Sequence, residues 1–144
     1  MSREIKFRAW DKKRKRYAKV IQTTNQGWKG YRDKTYITNG VMCFSKWVLS
    51  RFIIEQYTGL KDKNGKEIYE GDIVEQFVCG IHQFKGKKCG RSTIWQVRWN
   101  KKECCFELHY LNGSLFGDSM MSDGDEYEVI GTIHENPELL EGEK

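Results

Sequence analysis

The sequence predicts a mainly β fold, with helix as a minor component. Apolar and polar residues alternate over residues 5–10 and 106–111, which is the period of a half-buried strand. Asn39-Gly40, the strongest short hairpin signal, marks one of several tight turns. Residues 73–133 contain five short strand-like segments at near-regular spacing, and this spacing favours a small barrel.

The chain of 144 residues suits one domain or two very small ones. We predict an N-terminal β-rich subdomain over residues 1–58, packed on a C-terminal small β-barrel subdomain over residues 59–144. Residues 63–66 and 70–72 are typical tight turns that introduce the second part. The predicted strands are residues 5–10, 17–21, 35–38 and 41–44 in the first part and 73–84, 92–99, 104–111, 114–121 and 127–133 in the second.

Two segments favour helix. Between residues 45 and 56 the pattern is ambiguous, because it fits a helical turn while residues 52–57 also fit a strand. We prefer a short helical turn that runs into a strand. At the C-terminal end Asn136 suits an N-cap, Pro137 suits the first helical position, and Glu138 suits the positive end of a helix. We therefore expect a short C-terminal helix.

The charge is unevenly distributed along the chain. Residues 1–102 hold 24 Lys and Arg against nine Asp and Glu, a net charge of +15, whereas residues 103–144 have a net charge of −10. One interpretation is two solvated faces that attract each other within the fold. The other interpretations are a basic surface for an anionic partner, or complementary patches that drive formation of a homo-oligomer.

Composition excludes a membrane-spanning helix, because no segment approaches the roughly 20 apolar residues that such a helix needs. The N-terminus carries charges where a signal peptide would be apolar, so we expect a cytoplasmic protein. Five cysteines are an odd number, and in a reducing cytosol we expect them to be thiols.

Motifs for catalysis are absent from the sequence. It contains no phosphate-binding glycine loop and no His-Glu-x-x-His pattern, and Gly117-Asp118-Ser119 lacks the histidine partner that a serine esterase needs. We therefore predict that the protein is not an enzyme and has no cofactor. A site assembled from dispersed residues is the alternative that no linear pattern excludes.

One group of residues has the ligand types of tetrahedral zinc, namely Cys79, His82, Cys89 and Cys104 or Cys105. Only Cys79 and His82 have a compact spacing, while the other thiols are widely separated. The favoured interpretation is therefore buried thiols and a surface histidine, with no metal.

Basic residues interleaved with aromatic ones form the candidate binding surface. Lysine and arginine attract phosphates without reading sequence, and exposed rings stack on unpaired bases. Residues 77–102 hold seven Lys and Arg and no acid, although such a hairpin also serves simply to keep an edge strand soluble. The candidates are Lys85, Lys87, Lys88, Arg91, Arg98, Trp99, Lys101 and Lys102 in that hairpin, and Arg8, Trp10 and Arg14 within the basic residues 6–17.

Three blocks of sequence stand out along the chain, namely Phe7-Arg8-Ala9-Trp10-Asp11, residues 56–74 and residues 127–140. In this order they resemble the YopX proteins, which phages and prophages of Gram-positive bacteria encode. The resemblance implies a small mixed N-terminal part followed by a barrel of the Src-homology-3 type. It supplies no established activity and no catalytic residue. Residues 79–91 form a basic, cysteine-containing insert that is unusual for the family.

The predicted function is that of a phage-encoded, non-enzymatic accessory protein of the YopX type in the host cytoplasm. It is expected to bind a host or phage macromolecule and to form a homo-oligomer. The alternatives are a sequence-independent nucleic-acid-binding protein that uses the basic hairpin, and an enzyme with a dispersed site.

Overall fold

The computed structural model describes residues 4–18, 50–79, 90–111, 119–121 and 126–141. In these residues the chain is mostly strand, and a 3₁₀-helix closes it. The elements are β1 (Phe7–Asp11), β2 (Arg16–Ala18), β3 (Phe52–Lys61), β4 (Glu67–Tyr69), β5 (Asp72–Cys79), β6 (Gly90–Asn100), β7 (Cys105–Tyr110), β8 (Ser119–Met120), β9 (Tyr127–Thr132) and the 3₁₀-helix Pro137–Glu141.

The first sheet has the strand order β2-β1-β3-β4, and its neighbours are antiparallel. Arg8 on β1 stands directly opposite Glu55 on β3 in this register. A small core forms where Ala9 and Phe52 are buried. The long strand β3 runs through residues 58 and 59 without a break, pairing first with β1 and then with β4. The subdomain boundary predicted at that position stays a prediction.

The second sheet has the strand order β8-β7-β6-β5-β9 and curls into a half-barrel. Apolar side chains from alternate positions of its strands fill the concave side, because successive side chains of a strand point to opposite faces. Ile68 of β4 joins this core and so ties the first sheet to the second. The buried members are Ile68, Val74, Trp95, Val97, Phe106, Leu108 and Tyr127.

The mainly β prediction is confirmed, with local differences. The strand predicted at residues 114–121 is described only as Ser119–Met120, and β4 was not predicted at all. A 3₁₀-helix stands where a short helix was predicted; its first bond joins the N–H of Leu139 to the carbonyl of Asn136, three residues back. The hairpin predicted at Asn39-Gly40 lies outside the described residues. No helix in the described ranges is long and apolar enough to cross a membrane.

Candidate functional site

A largely buried arginine, Arg8 on β1, connects the two sheets. Its Nε donates to Oε2 of Glu55 on β3 at 2.6 Å, and its Nη2 lies 2.7 Å from Oδ1 of Asp72 on β5. The guanidinium carbon also lies 4.6 Å from the ring centre of Tyr17 and 4.8 Å from that of Tyr69, within reach of cation–π attraction. One side chain therefore binds carboxylates from both sheets.

Glu55 has a second partner beyond β9. Its Oε1 lies 2.8 Å from Nε2 of His134, and the imidazole stacks on the ring of Trp10 with 4.9 Å between ring centres and 10° between planes. Glu55 is only 2% exposed, so its carboxylate depends on these partners. We call the four residues Arg8, Glu55, Asp72 and His134 the interface cluster.

Burial and neighbouring charges shift the pKa values of Arg8, Asp72 and Tyr17. Burial acts to lower the pKa of Arg8, but Asp72 and Glu55 outweigh it and the pKa is raised. Burial raises the pKa of Asp72, against the lowering effects of Arg8 and of the Tyr69 N–H, which donates to Oδ2 at 2.8 Å. Burial also raises the pKa of Tyr17, whose hydroxyl donates to Oε2 of Glu55 at 3.2 Å. The guanidinium and the phenol thus keep their protons across the physiological range.

Gly71 makes room for the Glu55 carboxylate. Its φ of +83° is one that residues with a side chain rarely adopt. A Cβ added to Gly71 would lie 2.5 Å from Oε1 of Glu55. That oxygen cannot move aside cheaply, because it is the one held by His134. The Glu70-Gly71-Asp72 turn therefore places Asp72 next to Arg8 and leaves space for the Glu55 carboxylate.

The interface cluster contains a carboxylate–imidazole pair, the type of pair that serves acid–base catalysis. The hydroxyl that contacts it, on Tyr17, is kept protonated by burial and is a poor nucleophile. Two surface cavities, one beside Glu75 and one beside Leu60, are lined by other residues. The chemistry that the geometry shows is ion pairing between two sheets.

A second feature, the cationic turn of residues 12–16, joins β1 to β2 and has the sequence Lys-Lys-Arg-Lys-Arg. All five residues are exposed, and in the described part of the chain none of their side chains forms an ion pair. Oδ1 of Asp11 accepts the N–H groups of Lys13 and Arg14 at 3.0 and 3.1 Å. The carbonyl of Asp11 accepts the N–H of Lys15 at 2.8 Å. The backbone of the turn is thus fixed while its charges face solvent.

Arg51 completes the support of the turn from the residue before β3. Its Nη2 lies 2.7 Å from Oδ2 of Asp11, and its carbonyl accepts the N–H of Lys12 at 3.0 Å. The hydrogen bond from Arg51, aided by the two backbone N–H groups, lowers the pKa of Asp11 to about 2 in spite of partial desolvation. Asp11 therefore stays ionised above acidic pH, so that its carboxylate keeps the ion pair with Arg51 and the hydrogen bonds from the N–H groups of Lys13 and Arg14.

The comparisons with known proteins agree with this picture of the fold. A family model described as YopX protein matches residues 6–141. The chain belongs to the YopX family. The crystal structure of protein EF1440 from Enterococcus faecalis is similar to this YopX chain, with 29% identity and a TM-score of 0.55. The alignment covers 96% of this chain and 99% of EF1440. No curated protein matches the chain.

Two of the predicted binding residues of this YopX chain have partners within the protein. Arg8 is engaged by two carboxylates, and Trp10 is 4% exposed beneath His134. Contact of either residue with an outside partner stays a prediction. Arg14, by contrast, lies exposed in the cationic turn.

The C-terminal end of the predicted basic hairpin is described. Arg98 lies 3.4 Å from Oε1 of Glu107, so its charge is partly neutralised. Trp99 is 37% exposed and packs edge-on against Phe106, while Lys101 and Lys102 are exposed in the turn between β6 and β7. The side chain of Arg91 and the whole of Lys85, Lys87 and Lys88 lie outside the described residues, as does most of the insert at residues 79–91.

Two of the predicted zinc-ligand cysteines have described side chains. His82, Cys89 and the side chain of Cys79 lie outside the described residues. Cys104 is an exposed free thiol, and Cys105 is a partly buried one. Among the described residues, no three His, Cys, Asp or Glu side chains come together as a metal site.

Three members of the interface cluster, Glu55, Asp72 and His134, were not predicted from the sequence. Along β3 a hydrophobic pattern would bury Ile53 and expose Glu55, yet Ile53 is 38% exposed and Glu55 is buried. The signal that identifies Glu55 is the strand register, which places Arg8 directly opposite it. Opposite charges at such cross-strand positions attract.

Proposed function

We propose that this YopX protein is a phage-encoded accessory protein that acts in the host cytoplasm without catalysis, by binding nucleic acid through the cationic turn. The observation that carries the proposal is the display of five consecutive cations on a fixed, exposed backbone. Phosphate groups attract such a surface without any need for base contacts. The proposal includes a barrel of the Src-homology-3 type for the C-terminal part, as the resemblance to the YopX proteins implies.

The contrast between paired and unpaired charges supports this choice. Glu55 is buried and Arg8 is largely buried, and the two side chains neutralise each other. The side chains of the cationic turn have no acidic partner in the described part of the chain. A fixed backbone also lowers the entropy that ordering a loop on binding would cost. The turn is therefore prepared for an anionic ligand.

The test is the affinity of the protein for a mixed-sequence oligonucleotide at 50 mM salt. Lys12→Glu/Lys13→Glu should lose most of the binding, because two attractive charges become repulsive. Lys61→Glu/Lys66→Glu makes the same change of net charge at exposed positions beyond the turn and is the matched control. An equal loss in both variants, or none in the first, would contradict a site at the turn.

A protein partner is the rival occupant of the cationic turn. Pull-downs from infected-host lysate with and without nuclease separate the two classes. We expect nuclease to remove the bulk of the captured material. Capture of one acidic protein that survives nuclease and is lost with Lys12→Glu/Lys13→Glu would replace nucleic acid by protein in the proposal.

We also propose that the protein self-associates head to tail. An acidic groove, formed by Lys63, Glu75, Glu126 and Glu128, has a volume of about 260 Å³. The cationic turn contacts Arg51 just before β3, and Lys63 follows the end of β3. A strand of ten residues spans roughly 30 Å, several times the screening length of about 8 Å in physiological salt. The cationic turn therefore cannot neutralise the acidic groove of the same chain.

A charge swap tests this self-association without any nucleic acid. Lys12→Glu/Lys13→Glu reverses the turn, and Glu126→Lys/Glu128→Lys reverses the groove. Each variant alone should sediment as a monomer, whereas their equimolar mixture should associate again, since each reversed surface then meets its complement. A wild-type protein that stays monomeric at high concentration would remove the proposal.

A further inference from the structure

A small apolar cavity lies where the first sheet meets the open edge of the second. We call it the rim pocket, and its volume is about 210 Å³. That is below the roughly 300–1,000 Å³ of sites for drug-sized ligands, so it suits a single ring system. Its lining comes from β3, β7 and the β8 region: Thr58, Leu60, Cys105, Phe106, Met120 and Met121.

An exposed aromatic ring contacts one residue of the rim pocket, and two lysines lie in the turn before another. Trp99 pairs across the β6–β7 hairpin with Phe106, and the two rings meet edge to face with 5.0 Å between centres. The hairpin turn carries Lys101, Lys102 and Glu103, all exposed, and reaches the pocket-lining Cys105 after Cys104. Oδ1 of Asn100 accepts the N–H of Lys102 at 2.9 Å, which fixes the turn beside the pocket.

We infer that the rim pocket receives an unpaired base of a single-stranded nucleic acid. Trp99, which contacts the pocket-lining Phe106, is the stacking surface, and Lys101 and Lys102 hold the adjacent phosphates. The inference rests on the proposed function and narrows its ligand class from nucleic acid in general to single strands. A base held within a duplex is stacked on both faces and is not available to a pocket of this kind.

The positive charge near the rim pocket favours a nucleic-acid base over other small apolar groups as its ligand. An apolar cavity alone fits a leucine or phenylalanine of a partner equally well, but cations at its edge favour a ligand whose ring is joined to an anion. Thr58 is already engaged, since its hydroxyl donates to the carbonyl of Ile68 at 2.8 Å and accepts the N–H of Leu60 at 3.1 Å. With that polar group in use, we expect little discrimination among bases.

The decisive probes are three oligomers of equal length: oligothymidylate, the same backbone without bases, and a duplex. The abasic strand keeps every phosphate of the oligothymidylate and lacks only the rings. Binding through the rim pocket should make oligothymidylate about 5- to 150-fold tighter than the abasic strand, the range for loss of one stacked base. Trp99→Ala should abolish that ratio, and Trp99→Phe should retain most of it.

A control variant keeps the result interpretable if Trp99→Ala unfolds the protein. Lys101→Glu/Lys102→Glu changes only exposed side chains and should weaken both single strands alike while leaving the ratio between them. Equal affinity for the abasic strand, oligothymidylate and the duplex, with loss of all three in Lys12→Glu/Lys13→Glu, would overturn the rim pocket and leave the proposed function standing. Failure of all three oligomers to bind would overturn both.

Discussion

The interface cluster and the cationic turn use the same residue types in opposite ways. In the cluster, Arg8 and Glu55 are shielded from water and engaged on several sides, so their charges hold two sheets together. In the turn, residues 12–16 face solvent, and only their backbone is fixed. The comparison indicates that charge next to a matched buried partner acts as structure, whereas unmatched exposed charge is available for binding.

The largest expected effect is on the buried side of this comparison. Glu55→Ala should lower the free energy of unfolding by about 3–5 kcal/mol, because it leaves Arg8 buried without its closest partner. Urea denaturation followed by tryptophan fluorescence measures the change. Glu103→Ala, at an exposed position in the β6–β7 turn, is the control and should change little. A Glu55 variant as stable as this control would show that the cluster does not hold the sheets together.

Gly71→Ala should have the next largest effect, about 1–3 kcal/mol of lost stability. Its φ of +83° disfavours a side chain, and the added Cβ would push Oε1 of Glu55 away from His134. Gly65→Ala is a matched control, because Gly65 has φ of +81° with open space around it. The same denaturation curves should show a larger loss for Gly71 than for Gly65, and equal losses would mean that contact with Glu55 contributes nothing.

Asp11→Asn should have a smaller and pH-dependent effect. Asn keeps an oxygen for the N–H groups of Lys13 and Arg14 but loses the ion pair with Arg51, a loss of up to about 1 kcal/mol at neutral pH. The pKa of Asp11 is lowered from 3.8 to about 2, so the charge contributes fully above about pH 4 and is lost as the pH falls to 2. Thermal denaturation of both proteins should give melting temperatures that differ at pH 7 and converge toward pH 2. A constant difference would contradict the ion pair.

The smallest effect on stability is expected on the exposed side. Lys12→Gln/Lys13→Gln should leave the denaturation curve unchanged, since neither side chain has a partner in the described part of the chain. A marked loss of stability would show that the turn is held by its side chains and would remove the distinction between the two regions.

Local patterns in the sequence were sufficient for much of the second sheet. The alternation around Phe106 and the turn residues between strands are signals that neighbouring residues carry, and they predicted β6, β7 and β9 closely. The three-residue β4 was hidden between two turns, because so short a segment shows no periodicity. The basic run of the cationic turn was also visible, since it is contiguous.

The interface cluster could not be predicted in the same way. Its bonds join residues 47 positions apart for Arg8 and Glu55 and 79 positions apart for Glu55 and His134. The pairing of β1 with β3 brings Arg8 to Glu55, and the packing of the two sheets adds Asp72. No local pattern encodes either of these long-range contacts. For the same reason the sequence could not show that Arg8 pairs with Asp72 or that Trp10 stacks on His134.

The most direct test of binding through the cationic turn is the salt dependence of affinity for a single-stranded oligonucleotide. Neutralising five phosphates gives a slope of about −3.5 for the logarithm of the binding constant against the logarithm of salt concentration, or a roughly 100-fold loss between 50 and 200 mM. Lys12→Gln/Lys13→Gln should make that slope shallower by about 1.4. An unchanged slope and affinity in this variant would contradict a role for the turn.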